Sequence, residues 1–435
     1  MSVLNPAAPE DADAISFESV IIETELYPKL EIAPFVTDLD VFEHLDKPYV
    51  TAILGFVDAE DAVGAINLSG GEKVTIILKT NIEDSYPVKR VYYVDKIMTS
   101  AKTGDTEEFY ALHLIEDHAF ISNVLNVNKA YSGKATTIVT KIAKEFLDVK
   151  VNASTTDLQD SKVIVPNLSP IDAMCWMKNK ATTTDGYPFY LFSTLVEPAL
   201  QMHDLRTLLS ADTMNAGKPY VYYESQLAEK STTGNRRIIM AYQSKDTHDV
   251  YKLLNDGLIG GEYRYLDTIK KEDHKFEFDI DSEVISNLKK DDIVSKIPSY
   301  DSVRYDWSSD KIKSRKITRV AASKVFDKNK SLSERDEIAQ YRLNEVSRSM
   351  SRLLTAGGIN FIVNGLDFFD GLEATTIGNK LEIRFLRNVV TEGEDKKFDH
   401  RKSGDYLIFA CKHSFTPREY TLTFSGVKLS NGEVT

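Results

Sequence analysis

The chain has 435 residues, 42% hydrophobic and 27% charged, which indicates a folded protein of two to four domains. Its formal net charge of −13 argues against duplex nucleic-acid binding as the main activity, because that binding needs a face rich in lysine and arginine. Only two cysteines occur, Cys175 and Cys411, so neither a disulfide framework nor a thiolate metal cage is expected. Without a secretory signal or an apolar run long enough to span a membrane, we expect a protein folded in a cytoplasm, with no stable membrane insertion.

The N-terminal part of the chain predicts a short flexible segment followed by a β domain. Residues 1–15 are rich in Ala, Pro and Asp. Residues 16–127 read mostly as strands, with alternating apolar segments at 18–26, 49–58 and 74–78. The Gly70-Gly71 pair predicts the turn into the last of these strands.

The next part, residues 128–234, predicts an α+β middle domain, to which the highly charged residues 281–330 could also belong. Ile138, Ile142, Phe146 and Leu147 recur at helical spacing and indicate an amphipathic helix of about four turns. A second helix is expected after Ser169, since a serine caps a helix well and Pro170 suits its first position. A strand is expected at 188–194.

Residues 235–280 and 331–435 predict a second β domain. A helix at 246–255 is followed by strands in the segments GEYRYLDTI and KFEFDI. A long helix is expected at 333–354, because its apolar residues form one stripe, and Gly357-Gly358 would end it.

One β pattern occurs twice in the chain, about 300 residues apart. The first copy covers 66–78, 90–100 and 107–117, and the second covers 374–386, 404–415 and 418–429. Each copy has a glycine turn, an alternating strand, a long polar loop, a tyrosine-containing strand and a final alternating strand. The duplication indicates an assembly component with internal pseudo-symmetry rather than an enzyme with one site.

A search for catalytic, cofactor-binding and metal-binding residues names none, so the chain is not predicted to be an enzyme. His113 and His413 lie in predicted strands, where a hydrogen-bonded or surface histidine is the expected state. The segment 279–283 resembles the start of a calcium loop, but Val284 stands where that loop needs glycine. No dinucleotide fingerprint, phosphate loop or nucleophile elbow is present.

Three segments are candidates for interfaces. The basic segment 311–319 reads equally well as a solvated loop or as a contact for an acidic protein partner. The loop 391–404 carries charges of both signs and is either solvated or a docking arm. An aromatic cluster is better explained as core than as a ligand cage; its members are Trp176, Met177, Phe189, Tyr190 and Phe192.

Three passages resemble a known family, and together the resemblance covers most of residues 20–430. They are LDKPYVTAILGFVDAEDAVGAINLSGGEKVTIIL, VPNLSPIDAMCWMKNKATTTDGYPFYLFSTLVEPALQMHDLRTLL and SGDYLIFACKHSFTPREYTLTFSGVKL. Their order is similar to that of the central baseplate hub proteins of contractile-tailed, T-even-like bacteriophages. That family is related to the hub part of type VI secretion spike proteins. Residues 281–330 and the loop 391–404 have no counterpart in it.

The resemblance implies an α+β, mostly β fold, with two tail-tube-like antiparallel β-barrel or sandwich domains and an intervening α+β domain. It further implies a homotrimer of pseudo-sixfold symmetry, in which three chains present six similar domains. Such a hub joins the three-fold cell-puncturing spike to the six-fold tail tube. Its expected partners are the spike protein, tube or tube-initiator proteins and baseplate wedge proteins, while DNA only passes through its channel. The expected location is the virion tail baseplate, assembled in the host cytoplasm.

Two other function classes stay open at this point. One is a tail-associated enzyme that degrades the cell wall, and the other is a tail module that binds the host surface. Lysis of cell-wall substrate would favour the first, and binding to host cells would favour the second.

Overall fold

A thirteen-stranded sheet dominates the fold. The computed structural model describes residues 15–24, 29–59, 63, 68–80, 87–104, 107–154, 160–222, 237–245, 251, 255–256, 260–267, 271–286, 316–320, 326–327, 337–356, 358–365, 368–369, 376–386, 398–399, 402–417 and 419–428. Strand residues predominate among them, so the predicted α+β, mostly β class is confirmed. No described helix is both long enough and apolar enough to cross a lipid bilayer.

The N-terminal part is built from strands. They are β1 (Ile15–Glu23), β2 (Leu30–Glu31), β3 (Val36–His44), β4 (Thr51–Asp58), β5 (Lys73–Thr80), β6 (Val88–Lys102) and β7 (Glu108–Glu116), with a 3-10 turn at Ala33–Phe35. Helix α1 (Asp117–Ser122) follows β7 directly.

The middle part mixes helices and short strands, as the sequence predicts. Its elements are β8 (Ala130–Lys134), α2 (Ala135–Ile142), β9 (Val151–Ala153), β10 (Asp160–Ile164), α3 (Pro170–Lys178), β11 (Phe189–Phe192), β12 (Leu200–Asp204) and α4 (Leu205–Ser210). A π-helical turn, Ala143–Leu147, continues α2.

The C-terminal part returns to the main sheet. Its elements are β13 (Tyr220–Tyr222), β14 (Ala241–Lys245), β15 (Gly260–Asp267), β16 (Glu272–Asp279), β17 (Lys316–Val320), β18 (Phe326–Asp327), α5 (Glu337–Ala356), β19 (Gly358–Asn364), β20 (Lys380–Phe385), β21 (Gly404–Phe415) and β22 (Tyr420–Lys428). A π-helical turn, Asp281–Ile285, follows β16.

The main sheet contains the same five-strand arrangement twice. In the first module the strands lie in the order β3-β4-β7-β6-β5, and in the second in the order β14-β19-β22-β21-β20. All neighbours within both modules are antiparallel. The duplication read from the sequence is therefore confirmed, and the structure extends each repeat by two strands.

The glycine turns before β5 and β20 fix the alignment of the two modules. Gly71 has a φ of 90° and Gly378 a φ of 82°, a region that glycine enters without a steric cost. The Gly71 N–H donates to the Val94 carbonyl (2.7 Å), and Val94 donates back to the residue after Gly71 (2.9 Å). In the second module the Gly378 N–H donates to the Ile408 carbonyl, and Ile408 donates back to the carbonyl of the residue after Gly378, both at 2.9 Å. The backbone thus repeats down to individual hydrogen bonds.

Buried side chains follow the same alignment. The strand registers place Tyr92 of β6 in the position of Tyr406 of β21, and both tyrosines are buried. Leu112 of β7 corresponds to Phe424 of β22. Each strand alternates buried and accessible residues because successive side chains point to opposite faces. The shared pattern explains why periodicity alone detected the repeat.

The middle part has a separate hydrophobic core of its own, formed from residues between Val127 and Met202. Helix α3 begins as predicted, with the Ser169 side chain accepting from the Asp172 backbone N–H (3.2 Å) and Pro170 in the first turn. Strand β18 pairs with β10, so residues 326–327 join the middle part. The domain boundaries themselves stay a prediction.

Both modules belong to one open sheet, so of the two predicted forms, barrel or sandwich, the closed barrel is wrong. Strand β3 of the first module pairs with β21 of the second, so the two modules share a continuous hydrogen-bonded surface. The sequence could not show this pairing because it joins residues more than 360 positions apart.

Several predicted features lie partly or wholly outside the described residues. They are the flexible segment 1–14, the first residues of both repeats (66–67 and 374–375), most of the helix 246–255, residues 287–315, the start of the helix 333–354, Gly357 and most of the loop 391–404.

Candidate functional site: the junction between the modules

The two modules meet where β21 changes its neighbour. Its N-terminal residues pair with β20, and residues 410–415 pair with β3. The change falls at Phe409, where the register with β22 shifts by one residue. Such a bulge bends a strand and increases its twist, which turns the C-terminal half of β21 towards β3.

A buried Glu–His pair lies across this junction. Glu43 of β3 is 2% exposed and His413 of β21 is fully buried, and the Glu43 Oε1 and His413 Nε2 atoms are 3.0 Å apart. The Leu195 N–H donates to Glu43 Oε1 (2.5 Å), and the Thr376 hydroxyl donates to Glu43 Oε2. The other ring nitrogen of His413 shares a hydrogen bond with the Tyr420 hydroxyl (2.8 Å).

Burial and neighbouring charge act in opposite directions on Glu43. Burial alone would raise its pKa, but the charge of His413 and the hydrogen bonds from His413, Thr376 and Leu195 outweigh burial. The pKa of Glu43 therefore lies below its ordinary value, and the carboxylate is the stable form in the folded protein.

Glu43 and His413 also form, with Cys411, a group whose ligand atoms lie within 4.8 Å of one another. Burial and the Glu43 charge hold the pKa of the Cys411 thiol well above its ordinary value. The hydrogen bonds of Glu43 already satisfy both carboxylate oxygens. We interpret the group as a buried Glu–His pair with a neighbouring thiol; the sequence prediction that names no metal ligand stays a prediction.

A second buried network attaches the middle part to the first module. Arg90 donates to the carbonyls of Leu195 (2.6 Å), Glu197 (2.8 Å) and Thr194, and it lies 3.5 Å from Glu116. Leu195 therefore contacts Glu43 through its N–H and Arg90 through its carbonyl. The segment 193–197 connects both networks, so the middle part is held at the junction by polar contacts that water cannot replace.

His118 completes this second network. Its Nε2 lies 2.7 Å from the Pro48 carbonyl, and its Nδ1 lies 3.8 Å from Glu116 and 3.7 Å from Asp117. Burial lowers the pKa of His118, but the hydrogen bond with Asp117 and the negative charge of Glu116 outweigh it. The pKa of His118 is therefore raised above its ordinary value.

The structure gives an outcome for most of the predicted interface candidates. Residues 316–319 of the basic segment lie in β17, and Arg319 lies 2.6 Å from the buried Glu345 of α5, so this part is not a solvated loop, while its contact with an acidic protein partner stays a prediction. The aromatic cluster is core, as predicted: all its members except the half-buried Trp176 are buried. His113 lies in β7 with its Nδ1 2.9 Å from Asp95, which confirms the expected hydrogen-bonded state.

The junction residues escaped sequence analysis, although a signal was present. Strand β3 buries Val36, Leu39 and Val41 before Glu43, and β7 buries Leu112 and Leu114 before Glu116. In both strands a carboxylate occupies a position where the alternation predicts an apolar side chain. A carboxylate there indicates a buried partner, because an unpaired buried charge is strongly unfavourable.

Comparison with solved structures identifies the fold. The chain is similar to the 43 kDa tail protein of prophage MuSo2 from Shewanella oneidensis, with a TM-score of 0.51 and 10% identity over 94% of this chain and 98% of that one. It is also similar to a tail protein from Neisseria meningitidis MC58, with a TM-score of 0.50 and 11% identity over 95% of this chain and 96% of that one. The chain thus has the fold of phage tail proteins, and the predicted resemblance is confirmed at that level.

Sequence comparison adds nothing to this result. No protein-family profile matches the sequence, and no curated protein is similar to it. A structural similarity to a type VI secretion component of E. coli has a TM-score of 0.44, and we base no argument on it.

Proposed function

We propose that this protein is the structural central hub of a contractile phage tail baseplate. It acts as a homotrimer of pseudo-sixfold symmetry that joins a three-fold cell-puncturing spike to a six-fold tail tube. The observation that carries the proposal is the repeated five-strand module, since three chains with two such modules each present six similar units around one axis. The tail proteins that share the fold over nearly its whole length support a role in the tail.

The role needs no catalysis. The buried charged groups at the junction are paired with one another and with backbone atoms of the middle part, which suits a rigid connector. Expected partners are the spike protein, tube or tube-initiator proteins and baseplate wedge proteins. The net charge of −13 suits a channel that lets DNA pass without binding it.

The solution mass and the outline of the purified protein test the proposal. We expect a mass three times the 49.0 kDa of the chain, and particle images with a three-fold ring of six lobes. A mass that stays at one chain, alone and with the spike protein added, would contradict the hub role. Lysis of cell-wall substrate in a zymogram would favour the enzyme class instead.

A further inference from the structure

The C-terminal half of β6 is an open strand edge. Residues 88–93 of β6 pair with β5 on one side, and residues 92–102 pair with β7 on the other. Within the part of the chain that the structure describes, no strand pairs with residues 96–102 on the β5 side. Every residue from Asp95 to Lys102 is exposed, including Ile97 (36%) and Met98 (48%). An exposed edge of this length is a template for pairing with another chain.

Inside the chain, the equivalent edge is already occupied. In the alignment of the modules, β21 corresponds to β6, and both strands have a register shift with their neighbour at the same position, Phe409 in β21 and Asp95 in β6. Strand β6 has a second register shift at Met98, so Thr99 corresponds to Lys412 and Ser100 to His413. Beyond the bulge, β21 pairs with β3 of the first module. Beyond the bulge, β6 pairs with no described strand on that side. The first module therefore lacks the partner that the second module has.

A strand that corresponds to β3 is also open. Strand β14 holds the position in the second module that β3 holds in the first: each lies at the module edge and pairs antiparallel with the next strand, β4 or β19. The outer side of β3 pairs with β21, whereas β14 is the last strand of the described sheet. Ala241, Gln243 and Ser244 of β14 are exposed.

We propose that β14 of one copy pairs antiparallel with residues 99–102 of β6 in a second copy. The contact would repeat between chains the β3–β21 contact that exists within each chain, and this inference rests on the proposed homotrimer. Each chain supplies one open edge of each kind, so the contact is head-to-tail, and head-to-tail contacts close into rings when the rotation between copies fits. The partner is thus another copy of this chain.

The internal junction also predicts the register. His413 pairs with Val41, and Ser414 pairs with Asp40. In the module alignment, Ser100 and Ala101 take the places of His413 and Ser414, and Ser244 and Gln243 take the places of Val41 and Asp40. The expected pairs between chains are therefore Ser100 with Ser244 and Ala101 with Gln243. Since the side chains of a strand alternate between faces, the two pairs lie on opposite faces of the joined sheet.

The contact between chains differs chemically from the one within the chain. The position of Cys411 is taken by Ile97 in β6, and the position of His413 is taken by Ser100. The buried Glu–His pair of the internal junction therefore has no counterpart on β6. Backbone hydrogen bonds and apolar contacts would hold the contact between chains together, so it can form without burying an ionised pair.

Paired cysteines test this register in the assembled protein, in a Cys175→Ser background with the buried Cys411 retained. We expect S100C/S244C and A101C/Q243C chains to form disulfide-linked multimers under mild oxidation, because directly opposed side chains on neighbouring strands lie close enough for a disulfide. The matched controls S100C/Q243C and A101C/S244C place the two cysteines on opposite faces and should stay unlinked. Mixing S100C chains with S244C chains should give a two-chain product.

The outcomes separate this inference from the proposed function. A three-chain mass with no in-register link, or with equal links in the controls, would overturn the strand pairing and leave the hub role intact. A one-chain mass would overturn both. Because all four positions are in open edges, circular dichroism of the single-cysteine chains, expected to match the parent, shows that the variants fold.

Discussion

At the scale of the residue, buried charge is concentrated where parts of the chain meet. Glu43 and His413 join the two modules, and Arg90 and Glu116 join the first module to the segment 193–197. A hydrophobic contact in the same place would tolerate sliding between the parts. A buried carboxylate with three defined donors permits one arrangement only, so these pairs set the geometry of the junction.

Replacing Glu43 with alanine should lower the free energy of unfolding by about 3–5 kcal/mol, because it leaves His413 and the Leu195 N–H buried without their partner. The control K73A removes an ion pair with Glu23 in which both side chains are more than a third exposed, and it should cost about 0–1 kcal/mol. Urea unfolding followed by circular dichroism measures both values. Equal losses in the two variants would show that the junction pair has no special role.

His118 should make stability depend on pH. Its pKa in the folded protein lies above the ordinary value of 6.5. The stability that the protonated His118 contributes is therefore fully present below pH 6.5, and it is lost as the pH rises through the higher pKa of the folded protein. We expect the stability difference between the parent and H118Q to shrink from pH 6 to pH 9 in urea unfolding.

His203 provides a control of opposite sign. Burial lowers the pKa of His203, and the charge of Asp204 offsets this lowering only in part. The unfavourable contribution of His203 to stability therefore grows as the pH falls below 6.5. H203Q should therefore gain stability relative to the parent at pH 5 and match it more closely at pH 8. The same sign for both histidine variants would contradict the assignment.

At the scale of the element, strand bulges and close approaches of the backbone decide how the sheet is shaped. The bulge at Phe409 lets β21 pair with β20 at one end and with β3 at the other. Gly365, just after β19, donates its N–H to the Tyr420 carbonyl (3.0 Å). The backbone just after β19 is also packed directly against the Tyr420 ring.

A side chain at position 365 should disrupt this packing. A Cβ there would lie 2.3 Å from the Tyr420 ring, and Tyr420 is fully buried. We expect G365A to lower the free energy of unfolding by about 1–3 kcal/mol, as overpacked cores do. At Gly104 a Cβ would be no closer than 3.6 Å to any neighbour, so G104A should change stability by less than about 0.5 kcal/mol. Urea unfolding of both variants checks the difference.

At the scale of the whole molecule, the equivalent strands of the two modules do not make the same contacts. One contact between modules is made within the chain, and the strands of the equivalent contact, β6 and β14, each have an edge that no described strand pairs with. An unpaired strand edge favours association with another chain. When identical chains associate head to tail, the β6 and β14 edges of every chain are paired only if the chains close into a ring.

Hydrogen exchange should report that closure. Backbone amides of 99–102 and of β14 that face outward should exchange rapidly in a dilute, dissociated sample and slowly in the assembled protein, because pairing protects them. Amides at 410–415, already paired with β3, should be protected in both states. Mass-spectrometric exchange at two protein concentrations measures the change. Unchanged exchange at 99–102 on assembly would place the interface elsewhere.

Many of the elements, and their duplication, could be predicted from the amino-acid sequence. Alternating apolar residues, glycine turns and helix caps are local signals, so the strands of both repeats, the start of α3 at Ser169 and the core position of Phe189 and Tyr190 were predictable. The mostly β class followed from them, whereas the likeness to tail proteins rested on the resemblance of three passages to a known family.

Which strand edges pair, and which have no described partner, could be seen only in the folded chain. The pairing of β3 with β21 depends on the twist and bulges of a whole sheet, and the partners of Glu43 come from positions 195, 376 and 413. Charge burial and strand pairing over such separations leave no periodic trace in the sequence. The alternation could show that Glu43 and Glu116 occupy inward positions, but their partners, and the open sheet in place of two closed barrels, required the folded chain.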